Sequence, residues 1–503
     1  MNIVFVHLGR EHLGIEYLSA ALKEKGHKTF LSCDPGLFCP EDNVFYIDAL
    51  KKIFNRKEEV LSQVRKRRPD FVMFSVYTST YAWNCEIARI IKQEMDVKIV
   101  FGGMHATLVP EKVIKNDFVD FVIVGEGDHA IIELVDVVAR DGDLMGVPNL
   151  WYKNDGDIMK NPLSDPIPDI NSLPLPDKDL FKDYVYHKSD YVILTCRGCV
   201  FNCSYCCESY LNEIYKNRYY RRRSVDSVME ELLVMKGKYD FKRVMFFDSV
   251  FFSDRDWLKD FLPRYREEIS VPFRCAGHVS FVDKDIINEM KISGCYCIDF
   301  GVQTFNEKLR KELLNRPESN QIIERAFSIC DQAMLRYDVD LIMGIPSMSE
   351  KDYILALLFM QNHRYLNRLK CYNLSYYPRL EMIKKARALG FLSDQDVKLF
   401  EEGDIGDWFH IDKIKEPSVR VMKNNFEKLY KIYPLIPRRL MDVIIKREWY
   451  RSFHFFPNFL VIIIQLVVGI LKKDYRFYLY IKNYINHIKR YFRQRRDRET
   501  TVR

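Results

Sequence analysis

Short apolar runs that stop at glycine or a small polar residue recur along this chain, each followed by a stretch with helical spacing. In the first 140 residues Ile3 to Val6, Phe71 to Val76, Lys98 to Phe101 and Phe118 to Val124 are such runs. Helices are expected over about 15–25 and 81–94, the first closing at Gly26. Runs of this length alternating with amphipathic helices predict a parallel, doubly wound, flavodoxin-like sheet. Ligands of such sheets bind at the carboxyl ends of the strands. Gly102 and Gly103 follow one run there, and Gly125-Glu126-Gly127 follows another. Missing side chains at those points admit a large flat ligand, with plain tight turns as the alternative. No G-x-G-x-x-G follows the first run, which argues against a dinucleotide.

A break follows. Leu150 to Ile158 reads as a hairpin around Asn154-Asp155-Gly156. Pro166, Pro168, Pro174 and Pro176 then suit an extended crossing. From Tyr191 to about Gly390 the alternation resumes. Val192-Ile193-Leu194 is one run, and Arg243 to Phe247 ends at Asp248-Ser249. Tyr296 to Phe300 ends at Gly301-Val302-Gln303-Thr304, and Asp338 to Met343 ends at Gly344-Ile345-Pro346. The pattern predicts a partial (β/α)6 barrel, with its chemistry at the carboxyl ends of the strands. The α/β chain therefore divides into 1–140, a hairpin and linker over 141–190, the barrel over 191–390, and a helical region over 391–503.

The loop after the first barrel strand carries Cys199-x3-Cys203-x2-Cys206, with Cys196 and Cys207 on its flanks. Thiolates hold iron–sulfur clusters, usually four to a [4Fe–4S] cube, so three leave one iron open to a small molecule. Zinc is the first alternative, but paired C-x2-C ligands normally stand a dozen or more residues apart. Buried structural thiols are the second, set against the Gly, Arg and Asn among these cysteines.

The cysteine spacing, Tyr205 before the third Cys and Arg197-Gly198 before the first resemble the radical SAM superfamily. Pro69-Asp70-Phe71-Val72, Ser75, Gly102-Gly103-x-His105-Ala106-Thr107 and Asp120 to Gly127 resemble the cobalamin-binding domains that precede many of its members. The resemblance spans nearly 400 residues. It implies that Cys199, Cys203 and Cys206 ligate a [4Fe–4S] cluster whose open iron chelates S-adenosylmethionine (SAM). It places Asp248 and Ser249 near the SAM amino acid, Gln303 near its ribose, and Gly344 and Pro346 near adenine, with Tyr205 contributing backbone contacts. It implies cobalamin contacts at Ser75, Thr78, Gly102, Gly103, His105 and Glu126, a turn role being the alternative for His105. Two departures stand out: the family often has Glu at Gln303, and Pro-Gly-Thr near Tyr377-Pro378-Arg379-Leu380. The D-x-H-x-x-G motif that supplies a cobalt ligand elsewhere is missing, and Arg10-Glu11-His12-Leu13-Gly14 has the wrong spacing for it.

The activity so implied is reductive cleavage of SAM to a 5′-deoxyadenosyl radical, with cobalamin-dependent methylation of an unactivated carbon. Cyclisation or carbon–carbon bond formation is the alternative, and a non-catalytic iron–sulfur or cobalamin-binding protein a second. Such chemistry needs a low-potential electron donor such as flavodoxin or ferredoxin.

The thirteen cysteines are scattered rather than framed as disulfides, and the chain opens on a strand, which predicts a reducing cytoplasm. Lys472 to Arg503 holds eleven basic and three acidic residues, so the body carries none of the net charge of +7 and presents no nucleic-acid-binding face. Ser452 to Leu471 lacks Asp, Glu, Lys and Arg. With the basic residues and Tyr475, Phe477, Tyr478 and Tyr480 behind it, this segment suits peripheral contact with the inner membrane face. A buried or dimer helix and a membrane span are the other readings. The apolar, basic tail suggests a lipid-like substrate.

Overall fold

The computed structural model describes residues 1–38, 48–404, 417–471 and 481–493. Its first sheet has seven strands: β1 (Asn2–Leu8), β2 (Lys28–Asp34), β3 (Phe71–Ser75), β4 (Lys98–Gly102), β5 (Phe121–Ile123), β6 (Leu150–Asn154) and β7 (Asp157–Lys160). Their order is β2-β1-β3-β4-β5-β6-β7, and the first five are parallel in flavodoxin-like order. Ile3, Phe5, Phe71 and Met73 pack on one face, and Val4, Val6, Val72 and Phe74 on the other. Burial on both faces explains why these strands read as unbroken apolar runs rather than alternations. Each such side chain contributes about 1.5–3 kcal/mol by leaving water.

The helices α1 (Leu13–Glu24), α2 (Tyr81–Glu94) and α3 (Asp128–Ala139) lie within this domain. The hairpin grouped with the linker by its sequence is instead the antiparallel edge of this sheet. Ile123 pairs with Leu150 and Phe121 with Tyr152, and both hairpin residues are buried. β5 is shorter than its apolar run, because Phe118 and Val119 are buried ahead of the strand.

The second sheet is parallel and six-stranded. It runs β8 (Tyr191–Ile193), β11 (Val244–Phe246), β12 (Phe273–Gly277), β13 (Cys295–Gln303), β14 (Arg336–Met343) and β15 (Leu366–Asn373) in sequence order. Among the described residues β8 and β15 do not pair, so the barrel is partial. The outward residues Ile298, Phe300, Val339 and Leu341 join the main core. The alternate residues carry charge: Arg274 pairs with Asp299, and Lys370 Nζ lies 3.0 Å from Asp299 and 2.8 Å from Asp340. Cys297, Asp299 and Asp338 bring three donor atoms within 4.8 Å, but Arg274 and Lys370 already supply the positive charge there.

Beyond the barrel the chain is helical, as expected. Phe426, Leu429 and Tyr430 of the helix Pro417–Ile432 enter the barrel core. Trp449–Phe455 meets the helix Asn458–Leu471 at 107°, and no single helix among the described residues is long and apolar enough to cross a membrane. Tyr484 returns to the first domain, buried with Leu37, Phe38 and Phe54. Most of the basic tail, with Tyr475, Phe477, Tyr478 and Tyr480, lies outside the described residues.

Candidate active site

The cysteine loop is fastened at both ends. Asp248, buried at the end of β11, accepts the backbone N–H groups of Thr195 at 2.7 Å and Cys196 at 2.8 Å, and the Thr195 hydroxyl at 3.0 Å. Its carboxylate therefore holds the loop. Next comes a two-stranded ribbon of β9 (Cys196–Arg197) and β10 (Arg221–Arg222). Gly198 turns the chain at φ +87°, where a Cβ would stand 2.8 Å from the Tyr219 carbonyl. Farther on, Asn212 of helix α4 (Cys207–Ile214) donates to the Cys199 carbonyl at 3.0 Å and to Asn202 at 2.8 Å. The Ser204 N–H donates to the Leu314 carbonyl at 3.1 Å.

Cys203 is buried, and Cys199 and Cys206 are half-buried. A tetrahedral zinc with bonds near 2.3 Å would draw its sulfurs to about 3.8 Å from one another. Among the described residues these three thiols form no group of donor atoms within 4.8 Å of one another. Cys196 lies on β9, outside the loop that carries the three.

Behind the loop stands a charged relay absent from the sequence reading. Arg316 approaches the Cys203 sulfur at 3.6 Å and the Tyr205 hydroxyl at 3.5 Å, and pairs with Glu318 at 2.7 Å. Glu318 also lies 3.3 Å from His278, whose ring stacks on Phe201 at 4.0 Å. Burial raises the Glu318 carboxyl, but the neighbouring His278 ring and the Arg316 charge outweigh it and hold the group at about 2. Gln303 leaves β13 at φ +69°, with its amide folded toward Gly301. Gly344 turns at φ +75°, and Pro346 is buried beside it.

A cavity of about 410 Å³ joins the two domains. Its inner part is an apolar slot bounded by Phe5, Ile15, Leu18, Met73, Val100 and Ile131. Ser75, Gly102, Gly103 and Glu126 line it, as does Ser249 from the barrel. Gly103 sits at φ +85°, where a Cβ would meet the Val76 nitrogen at 2.7 Å. Thr78 and His105 do not line the cavity. Both are buried, joined Oγ1 to Nδ1 at 3.1 Å, and burial lowers the imidazole to about 3. His12 does line it, although its motif spacing argued against a role.

Glu126 lies in an ion-pair clamp between the domains. Arg221 grips its carboxylate, with Nη1 3.0 Å from Oε2, and the Tyr215 hydroxyl accepts its N–H at 2.7 Å. Arg197 meets Asp128 in a fork at 2.8 and 3.0 Å. Burial pushes the Asp128 carboxyl up, yet the charge and hydrogen bonds of Arg197 hold it below its ordinary value. Arg197 stands two residues before Cys199, so the clamp ties the first domain's strand ends to the cysteine loop. Arg197 was legible only as part of Arg-Gly, and no reading of the sequence singled out Asp128.

The donor set fits the implied groups: three thiols on a tethered loop for a cluster, and a glycine-floored mouth over an apolar slot for a corrin with its tail. Glu208 also reaches the cavity, with Oε2 buried and unpartnered, and burial raises it to about 7.

Residues 8–135 match the family model for the B12 binding domain, and residues 193–360 match that for the radical SAM superfamily. The uncharacterized methyltransferase PH0819 of Pyrococcus horikoshii is 27% identical over 304 residues, covering 59% of this chain and 61% of that protein. The cytidylyl-2-hydroxyethylphosphonate methyltransferase of Streptomyces wedmorensis is 20% identical, covering 67% of this chain and 69% of its own. Among solved structures, the cobalamin-dependent SAM radical enzyme OxsB with aqua-cobalamin shares the fold at a TM-score of 0.66 and 13% identity, over 99% of this chain and 80% of that one. The radical SAM methyltransferase TsrM of Kitasatospora setae, with cobalamin and a [4Fe–4S] cluster, aligns at 0.61 and 16% identity, over 77% and 75%.

Proposed function

The chain belongs to the radical SAM proteins that carry a B12 binding domain, and from that premise we propose that it methylates an unactivated carbon of a small molecule in the chamber between its domains. The observation that carries this reading is a cavity lined both by the glycines of the first domain and by the base of the cysteine loop. A cluster held by Cys199, Cys203 and Cys206 would, with SAM, supply a hydrogen-abstracting 5′-deoxyadenosyl radical, and cobalamin held over the glycines of the first domain would supply the methyl group. The protein's share is positional. Asp248 fixes the start of the loop, Arg316 and Glu318 support Cys203 and Tyr205, and the clamp holds the two walls in register.

A lipid-like substrate belongs to this proposal through one observation: Phe459, Ile463 and Ile470 expose an aliphatic face on the helix Asn458–Leu471. Peripheral membrane contact through that face, a cytoplasmic setting and a donor such as flavodoxin or ferredoxin complete the reading. The test is mass spectrometry of extracts from deletion and complemented strains fed methyl-deuterated methionine. A gene-dependent product carrying one labelled methyl is expected. A product short of hydrogen and without label would assign cyclisation or coupling instead.

A further inference from the structure

Among its described lining residues the chamber contains one carboxyl with a buried oxygen that has no hydrogen-bond partner. Among the described lining residues Arg197 is the only Lys or Arg, and it is held by Asp128 and Glu126. Glu126 is in turn held by Arg221, and His12 is hydrogen-bonded through both ring nitrogens. Glu208 differs: its Oε2 is buried without a hydrogen-bond partner. A buried polar atom left unpaired costs about 1–3 kcal/mol, and more when charged, so such a group marks a place where a ligand completes the bonding.

Glu208 sits on the wall formed by the barrel domain, in the first turn of α4 and two residues past Cys206. Tyr219 and the exposed ring of Phe247 line the same wall. A carboxylate on the same wall as the open Phe247 ring suits a nitrogen cation or an N–H-bearing ring, because both attract positive hydrogen. The Tyr219 ring, by contrast, is already taken by Tyr215 and Arg221. An anionic head group would find no free cation in this lining.

On the reading of the chamber as a methyltransferase site, we propose that Glu208 is its substrate-recognition residue, accepting an N–H from an amino or ring nitrogen of the substrate. The corrin also carries N–H groups, in its carboxamides, but the glycines that admit it lie on the other domain's wall. Glu208 is thus placed to meet what lies between the corrin and the cluster.

The test uses a deletion strain complemented with wild type, Glu208→Leu or Glu208→Asp, grown on 15N-ammonium and methyl-deuterated methionine. The gene-dependent product is expected to contain nitrogen, to fall roughly 30-fold or more with Glu208→Leu, and to return in part with Glu208→Asp. Purified Glu208→Leu is expected to keep wild-type iron and sulfide content and an unchanged Kd for hydroxocobalamin. A nitrogen-free product, or undiminished product from Glu208→Leu, overturns the inference. So does weakened hydroxocobalamin binding, which would give Glu208 to a corrin carboxamide. A nitrogen-containing product without deuterium would retire methyl transfer and leave the role of Glu208 standing.

Discussion

His12 caps α1, its Nδ1 accepting the Ile15 N–H at 3.2 Å. That bond leaves the ring proton on Nε2, which stands 3.1 Å from the Ser75 hydroxyl and 3.2 Å from that of Tyr77. In this tautomer the cavity-facing nitrogen has no lone pair to offer a metal. The spacing around His12 lacks a cobalt-ligand motif, and a motif cannot show that the residue still lines the slot. The reverse holds for Glu126, whose place after a strand was legible while its two arginine partners lie 71 and 95 residues away. His7, His12 and His105 share one property: burial lowers them to about 3, 4 and 3. The unfolded chain takes up a proton at each below pH 6.5, which the folded chain refuses until these lower values. The share of stability set by these three histidines is therefore complete above pH 6.5 and falls as the pH drops toward 4. At pH 5 each histidine costs about 2 kcal/mol. Urea unfolding at pH 7.5 and pH 5 checks this, and a midpoint that does not fall at pH 5 would contradict it.

The ribbon β9–β10 is the element that makes the site bipartite. Its two strands are two residues each, far too short to read from periodicity, and its charges look like an ordinary solvated face. β2 and β15 were hidden for a related reason. Thr29, Ser32, Arg368 and Lys370 break their apolar pattern, and those of β15 go with a barrel interior that is charged rather than oily. The two-sided strands β1, β3 and β4 were legible because burial on both faces allows only apolar runs. Asp128→Asn removes one charge of a buried pair, a loss of roughly 3–5 kcal/mol. A fold defect alone would lower 5′-deoxyadenosine and product together. A clamp that sets register predicts a higher ratio of 5′-deoxyadenosine to methylated product, read by chromatography of single-turnover reactions. An unchanged ratio would reduce the clamp to a stability device.

At the scale of the whole molecule, two α/β units face each other across one cavity, and the C-terminal chain touches both. Phe426 and Tyr430 join the barrel core, while Tyr484 packs on the first domain with its hydroxyl accepting the Phe38 N–H at 2.7 Å. The order of the two units was visible in the sequence because each repeats a strand–helix rhythm. Their mutual placement was not, since it depends on pairs such as Arg197 with Asp128 and Arg221 with Glu126 that no local pattern records. The central claim is that the loop of Cys199, Cys203 and Cys206 drives SAM cleavage beside the first domain's slot. The measurement that tests it most directly is SAM-dependent 5′-deoxyadenosine formation by the anaerobically reconstituted, chemically reduced protein, compared with Cys203→Ala. The account predicts 5′-deoxyadenosine from the wild type and none above background from the variant; equal yields from both would contradict it.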